Sequence, residues 1–324
     1  MSKINSKIIG TGGYLPLNKV TNHDLEQRLD TSHDWIVQRT GIHQRYVANK
    51  EETVAYMAAK AAEQAIQAAR ITKDQIGLIL VASCSGESVF PSAAGSVQKI
   101  LGIPECPAFD ISAACAGFVY ALSVCDAFIK TQQAKYALVI GSEVMSRVFD
   151  KDDRSIAVLF GDGAGAVVLG ASTEEGLIAT SLHADGNYDE LLSLSHMYPA
   201  DINKDDLSDY YIHMDGREVY KVAVNKLEEM VEKIIVDNGY QKSDLNWLVP
   251  HQANYRIIKS VAKRLELPEE QVILTVAEHA NTSAASIPLA LDYGVRNNKI
   301  KLGDLILLEA FGGGLAWGSA LVRY

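Results

Sequence analysis

Two glycine-rich stretches of this chain resemble each other, Phe160-Gly161-Asp162-Gly163 and Phe311-Gly312-Gly313-Gly314, at an offset of 151 (311 − 160). Apolar residues flank each stretch, so we expect a strand, a glycine-rich turn and a second strand in both copies, over residues 155–170 and 305–323. The match predicts a duplicated unit, although a match this short also arises by chance.

A second repeat strengthens this prediction. Ser112-Ala113-Ala114 recurs as Ser283-Ala284-Ala285 at an offset of 171 (283 − 112), and each copy follows an extended stretch and opens an apolar helix. We therefore expect two related halves, residues 1–172 and 173–324, which divide near residues 171–176. In duplicated folds a ligand site commonly lies where the halves meet.

The rest of the chain alternates between apolar strands and amphipathic or Ala-rich helices. The predicted elements are strands over residues 8–13, 76–82, 107–111, 137–141, 245–249 and 272–276, and helices over residues 53–69, 115–130 and 254–265. Such alternation is typical of an α/β protein with buried sheets. We expect the polar stretch 201–209 to form an exposed excursion from this core.

Composition narrows the class of protein. The chain has 324 residues, and its 30 Lys and Arg against 40 Asp and Glu give a net charge of −10, which disfavours nucleic-acid binding. The longest charge-free run, residues 111–125, is too short for a membrane span, and residues 1–10 show no apolar secretory signal. The four cysteines form no CxxC pair, so we expect a reducing, cytoplasmic setting.

Cys115 is the strongest candidate for a nucleophile. It follows the expected strand over 107–111, where the chain turns into a helix, and only small residues surround it within 113–117. The first N–H groups of a helix lack backbone partners and carry partial positive charge, so we expect them to lower the pKa of the Cys115 thiol. The alternative is a buried structural cysteine, which is how we interpret the other three cysteines.

A reactive cysteine usually has a histidine partner that the fold brings near. Among the eight histidines, His251 follows the apolar strand 245–249, and sites in α/β folds form at strand ends. Asn281 opens the second-half helix that the repeat aligns with the Cys115 helix. If a pseudo-twofold axis relates the halves, these loops face one central cavity.

At these residues the sequence closely resembles the β-ketoacyl-[acyl carrier protein] synthase III family of the thiolase-like superfamily, and the resemblance covers essentially the whole chain. The motifs that carry it, in order, are Ile8-Ile9-Gly10-Thr11-Gly12, Asp34-Trp35-Ile36-Val37, Arg39-Thr40-Gly41-Ile42, Ala113-Ala114-Cys115-Ala116-Gly117-Phe118, Phe160-Gly161-Asp162-Gly163-Ala164-Gly165, Pro250-His251-Gln252-Ala253-Asn254, Asn281-Thr282-Ser283-Ala284-Ala285-Ser286 and Phe311-Gly312-Gly313-Gly314. The resemblance implies two βαβαβαββ halves in a five-layer α-β-α-β-α sandwich, and a homodimer.

The reaction that the resemblance implies is a decarboxylative Claisen condensation that initiates fatty-acid synthesis. A short acyl-CoA primer, acetyl-CoA, and malonyl-[acyl carrier protein] would give a 3-oxoacyl-[acyl carrier protein], CoA and CO2. The Cys115 thiolate would hold the acyl group, and the backbone N–H groups of Cys115 and Gly313 would form the oxyanion hole. His251 and Asn281 would donate hydrogen bonds to the enolate. Acyl-CoA is a substrate here, and we expect no metal or redox cofactor.

The resemblance also implies residues that bind the substrates. The residues expected to bind CoA are Thr31, Trp35, Arg39, Arg154, Gly216 and Asn254. Trp35 and Arg154 would enclose the adenine through stacking and cation–π contact. Without the resemblance, Trp35 is interpreted more simply as a surface aromatic residue.

Three phenylalanines are candidates for the acyl pocket. By resemblance, Phe90 reaches across the dimer to close the pocket of the partner, which favours a short primer. Phe160 and Phe311 are expected to wall the cavity, although either could be plain core.

The predicted helix over 254–265 has a cationic side. Arg256, Lys259 and Lys263 fall at i, i+3 and i+7, so they lie along one side of the helix. Carrier proteins are acidic, and the helix begins beside His251, so we interpret these cations as a docking patch with Arg256 as the main contact. A merely solvated helix face is the alternative.

One departure from the family pattern concerns the site. Ala280 stands where the family typically has Gly before the Asn. If that position needs a positive φ, Ala costs about 1 kcal/mol and could shift Asn281.

Three alternative functions stay open at this stage. A ketosynthase of polyketide or alkylquinolone type would keep the fold and change the product. A papain-like cysteine hydrolase shares the chain order of Cys115, His251 and Asn281 but has a local signature that is absent here. A non-catalytic acyl-CoA-binding protein would not need the three polar residues together.

Overall fold

The computed structural model describes residues 4–195 and 211–324. The excursion expected over 201–209 lies outside the described residues. The strands are β1 (Asn5–Tyr14), β2 (Asn18–Thr21), β3 (Gln44–Val47), β4 (Leu78–Ala82), β5 (Ala108–Ile111), β6 (Tyr136–Glu143), β7 (Gly163–Ser172), β8 (Leu177–Ala184), β9 (Leu192–Leu194), β10 (Ile212–Met214), β11 (Trp247–Pro250), β12 (Leu305–Gly312) and β13 (Ala316–Arg323). The α-helices are α1 (Asn22–Glu26), α2 (His33–Thr40), α3 (Val54–Ala69), α4 (Ala93–Leu101), α5 (Gly117–Lys130), α6 (Arg154–Ala157), α7 (Gly216–Asp237), α8 (Tyr255–Arg264), α9 (Val276–His279) and α10 (Ser286–Arg296).

Two mixed β-sheets form the framework of the molecule. The first has the order β1-β7-β6-β4-β5 and the second the order β11-β12-β13-β8. From β1, successive pairings are antiparallel, antiparallel, parallel and parallel. From β8 they are antiparallel, antiparallel and parallel. The same order of directions in both sheets is what a duplicated unit produces.

The helices complete five layers. Helices α5 and α10 lie between the two sheets and contact both of them. Helices α3 and α4 cover the outer face of the first sheet, and α7, with α8 against it, covers the second. The predicted α-β-α-β-α sandwich with duplicated thiolase-like halves is therefore confirmed. Within the described residues, no helix combines the length and the apolar character that crossing a membrane requires.

The second repeat is real, but its register differs from the one expected. A short 3-10 turn precedes each central helix, Ala114–Ala116 before α5 and Ser283–Ala285 before α10. The first residue of each turn has positive φ, 44° at Ala114 and 49° at Ser283. The structural offset is therefore 169 (283 − 114) rather than 171, and Cys115 corresponds to Ala284.

Two predicted strands are wrong. In the first copy of the glycine-rich repeat, residues 154–157 form helix α6, because the Asp153 side chain accepts the N–H of Ser155 and caps a helical turn. In the second half, the stretch 272–276 contributes only a parallel bridge from Val272 to Leu248 before α9 begins. Val272 lies beside β11 as β5 lies beside β4, so this bridge is what remains of a fifth strand.

In each sheet a glycine packs closely against the 3-10 turn of the opposite half. A Cβ added to Gly141 in β6 would lie 2.1 Å from the carbonyl oxygen of Ala284. A Cβ added to Gly312 at the end of β12 would lie 2.8 Å from the backbone nitrogen of Cys115. These reciprocal contacts bring the two turns, and the side chains they carry, to the middle of the molecule.

Candidate active site

A cavity of about 320 Å³ lies where the two halves meet, and its lining includes Cys115, His251 and Asn281. The structure therefore brings these three side chains together, as expected from the sequence. A second cavity of about 490 Å³ adjoins it, since Cys115 and Phe160 line both. Gly313 lines the second cavity. Cys115 therefore lies between two adjoining cavities.

Cys115 is 8 % exposed and lies in the 3-10 turn, two residues before α5 begins at Gly117. Burial raises the pKa of its thiol to about 12, and the nearby charge of Glu143 acts in the same direction. The lowered pKa expected from the helix N-terminus is therefore wrong. Desolvation of the buried anion is the main cause, and it favours the protonated thiol.

The backbone N–H groups of Cys115 and Gly313 donate to no backbone carbonyl oxygen among residues 4–195 and 211–324. A Cβ added to Gly313 would lie 3.0 Å from the carbonyl oxygen of Leu192, so only glycine fits this position without displacing Leu192. Two unpaired N–H groups beside a buried sulfur can stabilise a developing oxyanion.

His251 follows β11 directly, and its backbone N–H donates to the carbonyl oxygen of Glu309 at 2.8 Å. The Nδ1 atom of the ring lies 2.5 Å from Ser286 Oγ. Burial lowers the pKa of His251 to about 3, so the imidazole is neutral at physiological pH. A neutral imidazole can donate one hydrogen bond to a group in the cavity.

Asn281 is 7 % exposed, and its Oδ1 atom accepts the N–H of Ser283 at 2.8 Å. This contact fixes the orientation of the amide and leaves its NH2 group as the donor available to the cavity. Ala280, the residue before it, has φ 58° and ψ −159°. This backbone region is almost restricted to glycine, so the departure noted in the sequence does place Ala in a strained conformation.

Two buried polar residues at the site were missed by the sequence analysis. The Gln252 side chain donates to the carbonyl oxygens of Pro250 and Ile273 and accepts the N–H groups of Thr275 and Val276. It thereby ties the His251 loop to the segment that leads to Asn281. In the sequence Gln252 is part of the motif 250–254, but no role was predicted for it.

The second residue missed is Glu309, which lines the first cavity and is 1 % exposed. Its Oε2 atom has no hydrogen-bond partner among the described residues, and burial raises its pKa to about 8. A sequence signal existed, because Glu309 is the single charge in the apolar run 305–311.

The residues expected to bind CoA gather at the outer part of the first cavity. Trp35, Arg39, Gly216 and Asn254 line it. The guanidinium groups of Arg154 and Arg39 lie 5.0 and 5.8 Å from the Trp35 ring. Thr31 is not part of the lining, but its buried hydroxyl has no partner among the described residues.

The three phenylalanines have different places. Phe160 and Phe311 line the first cavity. Phe90 is 85 % exposed and lines neither cavity. Within a single chain, therefore, Phe90 has no contact with the candidate site.

Helix α8 begins beside this cavity. Asn254 caps it by accepting the N–H of Arg256, and its amide donates to the carbonyl oxygen of Arg39 at 3.1 Å. Arg256, Lys259 and Lys263 are exposed, and none of the three forms an ion pair within the described part of the chain. The Arg256 guanidinium instead donates to the carbonyl oxygen of Gln38 at 2.8 Å.

Metal-ligating side chains do not cluster at this site. Across residues 4–195 and 211–324, no group of three or more His, Cys, Asp or Glu side chains has a geometry that could hold a metal ion.

A buried cysteine, a neutral histidine and a carboxamide at the junction of two thiolase-like halves define an acyl-transferring condensing enzyme. Comparison with known proteins supports this class of enzyme. Residues 109–186 match the family model "3-Oxoacyl-[acyl-carrier-protein (ACP)] synthase III", and residues 235–324 match the model of its C-terminal part. The chain belongs to the 3-oxoacyl-[acyl-carrier-protein] synthase III family.

Relatives cover nearly the whole chain. It is 54 % identical over 320 residues to a beta-ketoacyl-[acyl-carrier-protein] synthase III of Psychromonas ingrahamii, which covers 99 % of this chain and 100 % of the relative. The enzyme of that name from Escherichia coli O9:H4 is also 54 % identical, covering 98 % and 99 %. A crystal structure of the Aquifex aeolicus synthase III superposes with a TM-score of 0.92 at 46 % identity and covers 98 % and 100 %. The priming β-ketosynthase of the R1128 polyketide pathway has a TM-score of 0.94 at 33 % identity and covers 98 % and 96 %.

Proposed function

We propose that this enzyme condenses a short acyl-CoA primer, acetyl-CoA, with malonyl-[acyl carrier protein] and thereby initiates fatty-acid synthesis. The products are a 3-oxoacyl-[acyl carrier protein], CoA and CO2. The observation that carries the proposal is the shared cavity lined by Cys115, His251 and Asn281. The relatives at 54 % identity, all named as synthase III, support the same reaction.

In the first half-reaction the Cys115 sulfur attacks the acyl-CoA thioester carbon. The bond from that carbon to the CoA sulfur breaks, and the proton of the Cys115 thiol ends on the departing CoA. The unpaired N–H groups of Cys115 and Gly313 support the oxyanion of the tetrahedral intermediate, and losing one such donor typically costs about 3–4 kcal/mol of barrier. A new thioester on Cys115 then holds the acyl group.

In the second half-reaction the malonyl group loses CO2, and the electron pair of the broken C–C bond forms an enolate. His251 and the Asn281 amide donate hydrogen bonds to the enolate oxygen. The depressed pKa of His251 supports this role, because a neutral imidazole donates without taking up a proton. The enolate carbon then attacks the acyl group and the Cys115 thiolate leaves. One proton taken up from solvent restores the resting thiol, so the overall reaction consumes one proton.

The outer part of the cavity is proposed to bind CoA through Thr31, Trp35, Arg39, Arg154, Gly216 and Asn254. Two guanidinium groups over the Trp35 ring supply local positive charge in an acidic protein, which suits an anionic ligand that carries an aromatic base. The buried Thr31 hydroxyl has no hydrogen-bond partner within residues 4–195 and 211–324, so it can bond to a ligand. Exposed Arg256, Lys259 and Lys263 are proposed to dock the acidic carrier protein.

We also propose a cytoplasmic homodimer whose subunits consist of the halves 1–172 and 173–324. Phe90, at 85 % exposed, supports a role in closing the acyl pocket of a partner subunit that Phe160 and Phe311 wall on their own side. Strand β5 is at the edge of the first sheet, where a second copy could continue it. Four unpaired cysteines suit a reducing compartment.

Mass spectrometry of the intact protein tests the reaction. After treatment with acetyl-CoA we expect one acetyl group on Cys115, stable until malonyl-[acyl carrier protein] is added and then lost as acetoacetyl-[acyl carrier protein] forms. A hydrolase would release acetate instead, and a binding protein would stay unmodified. A ketosynthase that accepts malonyl-CoA equally well would contradict the carrier protein as the natural donor of the malonyl group.

A further inference from the structure

Two serines in the segment after Asn281, Ser283 in the turn and Ser286 at the start of α10, contact polar side chains of the site. Ser283 holds the Asn281 amide, as described above, and Ser286 Oγ lies 2.5 Å from His251 Nδ1. Ser286 is 2 % exposed and His251 is 5 % exposed, so bulk water does not compete for this hydrogen bond. Whichever partner donates decides which ring nitrogen of His251 carries the proton.

A second contact of the Ser286 hydroxyl indicates which partner donates in its hydrogen bond with His251. Gln252 donates its backbone N–H to Ser286 Oγ at 3.3 Å, so the oxygen already accepts one hydrogen bond. Apart from His251 Nδ1, no described residue offers an acceptor to the Ser286 proton. If Nδ1 carried the proton, this buried hydroxyl would be an unpaired donor, which is unfavourable. The favoured arrangement is a hydroxyl that donates to Nδ1.

The duplication shows that this hydroxyl belongs to the second half alone. With the offset of 169, Ser286 corresponds to Gly117 (286 − 117), and Ala284 corresponds to Cys115. In the first half the turn contains Cys115 and is followed by Gly117, which has no side chain. In the second half it carries no nucleophile and is followed by a hydroxyl that touches His251.

We propose that Ser286 is a positioning residue that holds His251 as the tautomer with its proton on Nε2. This inference rests on the proposed function, because its consequence is an Nε2–H that donates to the enolate oxygen of the malonyl thioester. No described residue hydrogen-bonds Nε2, so this nitrogen is available to the cavity. Gln252 assists by fixing the loop that carries His251.

The role predicts a difference between the two half-reactions. Attack of the Cys115 sulfur on acyl-CoA uses the backbone N–H groups of the oxyanion hole, whereas enolate formation uses the His251 proton donor. Ser286→Ala should therefore leave acetylation of Cys115 within about twofold of wild type. It should lower kcat for condensation by about 10- to 100-fold, the range seen when the partner that orients a metal-bound histidine is removed.

Nuclear magnetic resonance of wild-type protein labelled with 15N-histidine tests the tautomer without any folding risk. The His251 signals, identified by their loss in His251→Asn, should report a protonated Nε2 and an unprotonated Nδ1. A protonated Nδ1 in the wild-type protein would overturn the proposal.

Ser319→Ala is the matched kinetic control. Ser319 is 0 % exposed, and its hydroxyl has no hydrogen-bond partner among the described residues, so this variant also deletes a buried serine hydroxyl. We expect Ser319→Ala to condense at the wild-type rate. Condensation by Ser286→Ala at the rate of this control would refute the inference while the proposed function stands. A wild-type protein that forms no acetyl-Cys115 would refute the proposed function, and the tautomer would still be decided by the 15N signals.

Discussion

Phe160 and Asn281 form an isolated parallel β-bridge across the junction of the two halves. The Asn281 N–H donates to the carbonyl oxygen of Leu159, and the Gly161 N–H donates to the carbonyl oxygen of Asn281, each at 3.0 Å. The backbone that carries a proposed donor of one half is therefore held by the glycine-rich stretch of the other half. Small changes in this bridge should affect the site directly.

Ala280 precedes that bridge in a backbone conformation that suits glycine. Ala280→Gly should raise the free energy of unfolding by about 1 kcal/mol, because relief of roughly 1–3 kcal/mol of strain exceeds the cost of a more flexible unfolded chain and a lost methyl. Urea denaturation measures the change. Ala277→Gly, in the neighbouring helix α9, is the control and should lower stability by about 0.5–1 kcal/mol. Equal destabilisation by both variants would contradict the strain at Ala280.

The raised pKa of Cys115 predicts an unusual pH dependence for the resting enzyme. Only the thiolate is alkylated, so with a pKa of about 12 the rate of Cys115 modification by iodoacetamide should rise tenfold per pH unit from pH 7 to 10. Peptide mass mapping follows the modified residue. Free glutathione, measured alongside, should level off near its own thiol pKa, whereas a plateau for Cys115 below pH 8 would show an activated thiolate.

Trp35 provides a test of the CoA site. Trp35→Ala should raise KM for acetyl-CoA by about tenfold, since a stacking and cation–π contact is worth roughly 1–2 kcal/mol. The matched control is a second substrate, the acetyl thioester of N-acetylcysteamine, which lacks adenine and phosphates. Its kcat/KM should be the same for the variant and the wild type. An equal loss of kcat/KM with both thioesters would indicate that Trp35 stabilises the fold and does not bind CoA.

Charge reversal tests the docking helix. Arg256→Glu should raise KM for malonyl-[acyl carrier protein] by about tenfold, because it replaces attraction by repulsion at the rim of the interface, and it should leave the rate of Cys115 acetylation unchanged. Lys60→Glu, on helix α3 in the opposite outer layer, is the control and should change neither value. If Arg256→Glu slows both half-reactions equally, its contact with Gln38 is structural and the docking role is rejected.

The proposed role of Phe90 in a partner's acyl pocket predicts an effect on primer choice. Phe90→Ala should raise kcat/KM for primers one or two methylenes longer than acetyl by about tenfold relative to acetyl-CoA, as expected for removal of a pocket wall. The control is Val89→Ala, because Val89 is the neighbouring residue and is also exposed, at 61 %. Rates across a series of acyl-CoA primers decide the outcome, and identical primer profiles for the two variants would remove Phe90 from the pocket.

Sequence alone determined the duplication, the α/β class and the family. Apolar periodicity and short motifs report local structure, and local structure repeats when a unit is duplicated, so the two related α/β halves could be predicted from the sequence. The five-layer arrangement was implied by the family resemblance. Cys115, His251 and Asn281 could be selected because each begins or follows a regular element. The strand expected over 272–276 was wrong because a single apolar run fits a bridge and a strand equally.

Tertiary structure decided what depends on distant neighbours. The pKa of Cys115 is set by burial between two sheets, and neither burial nor the charge of Glu143 is visible in the residues around position 115. The offset of 169 between the two repeats was recognised from the positive backbone φ at Ala114 and Ser283, which cannot be predicted from the residue types. The contact of Ser286 with His251 joins residues 35 positions apart, and only the packing of α10 against β11 brings them within hydrogen-bond distance.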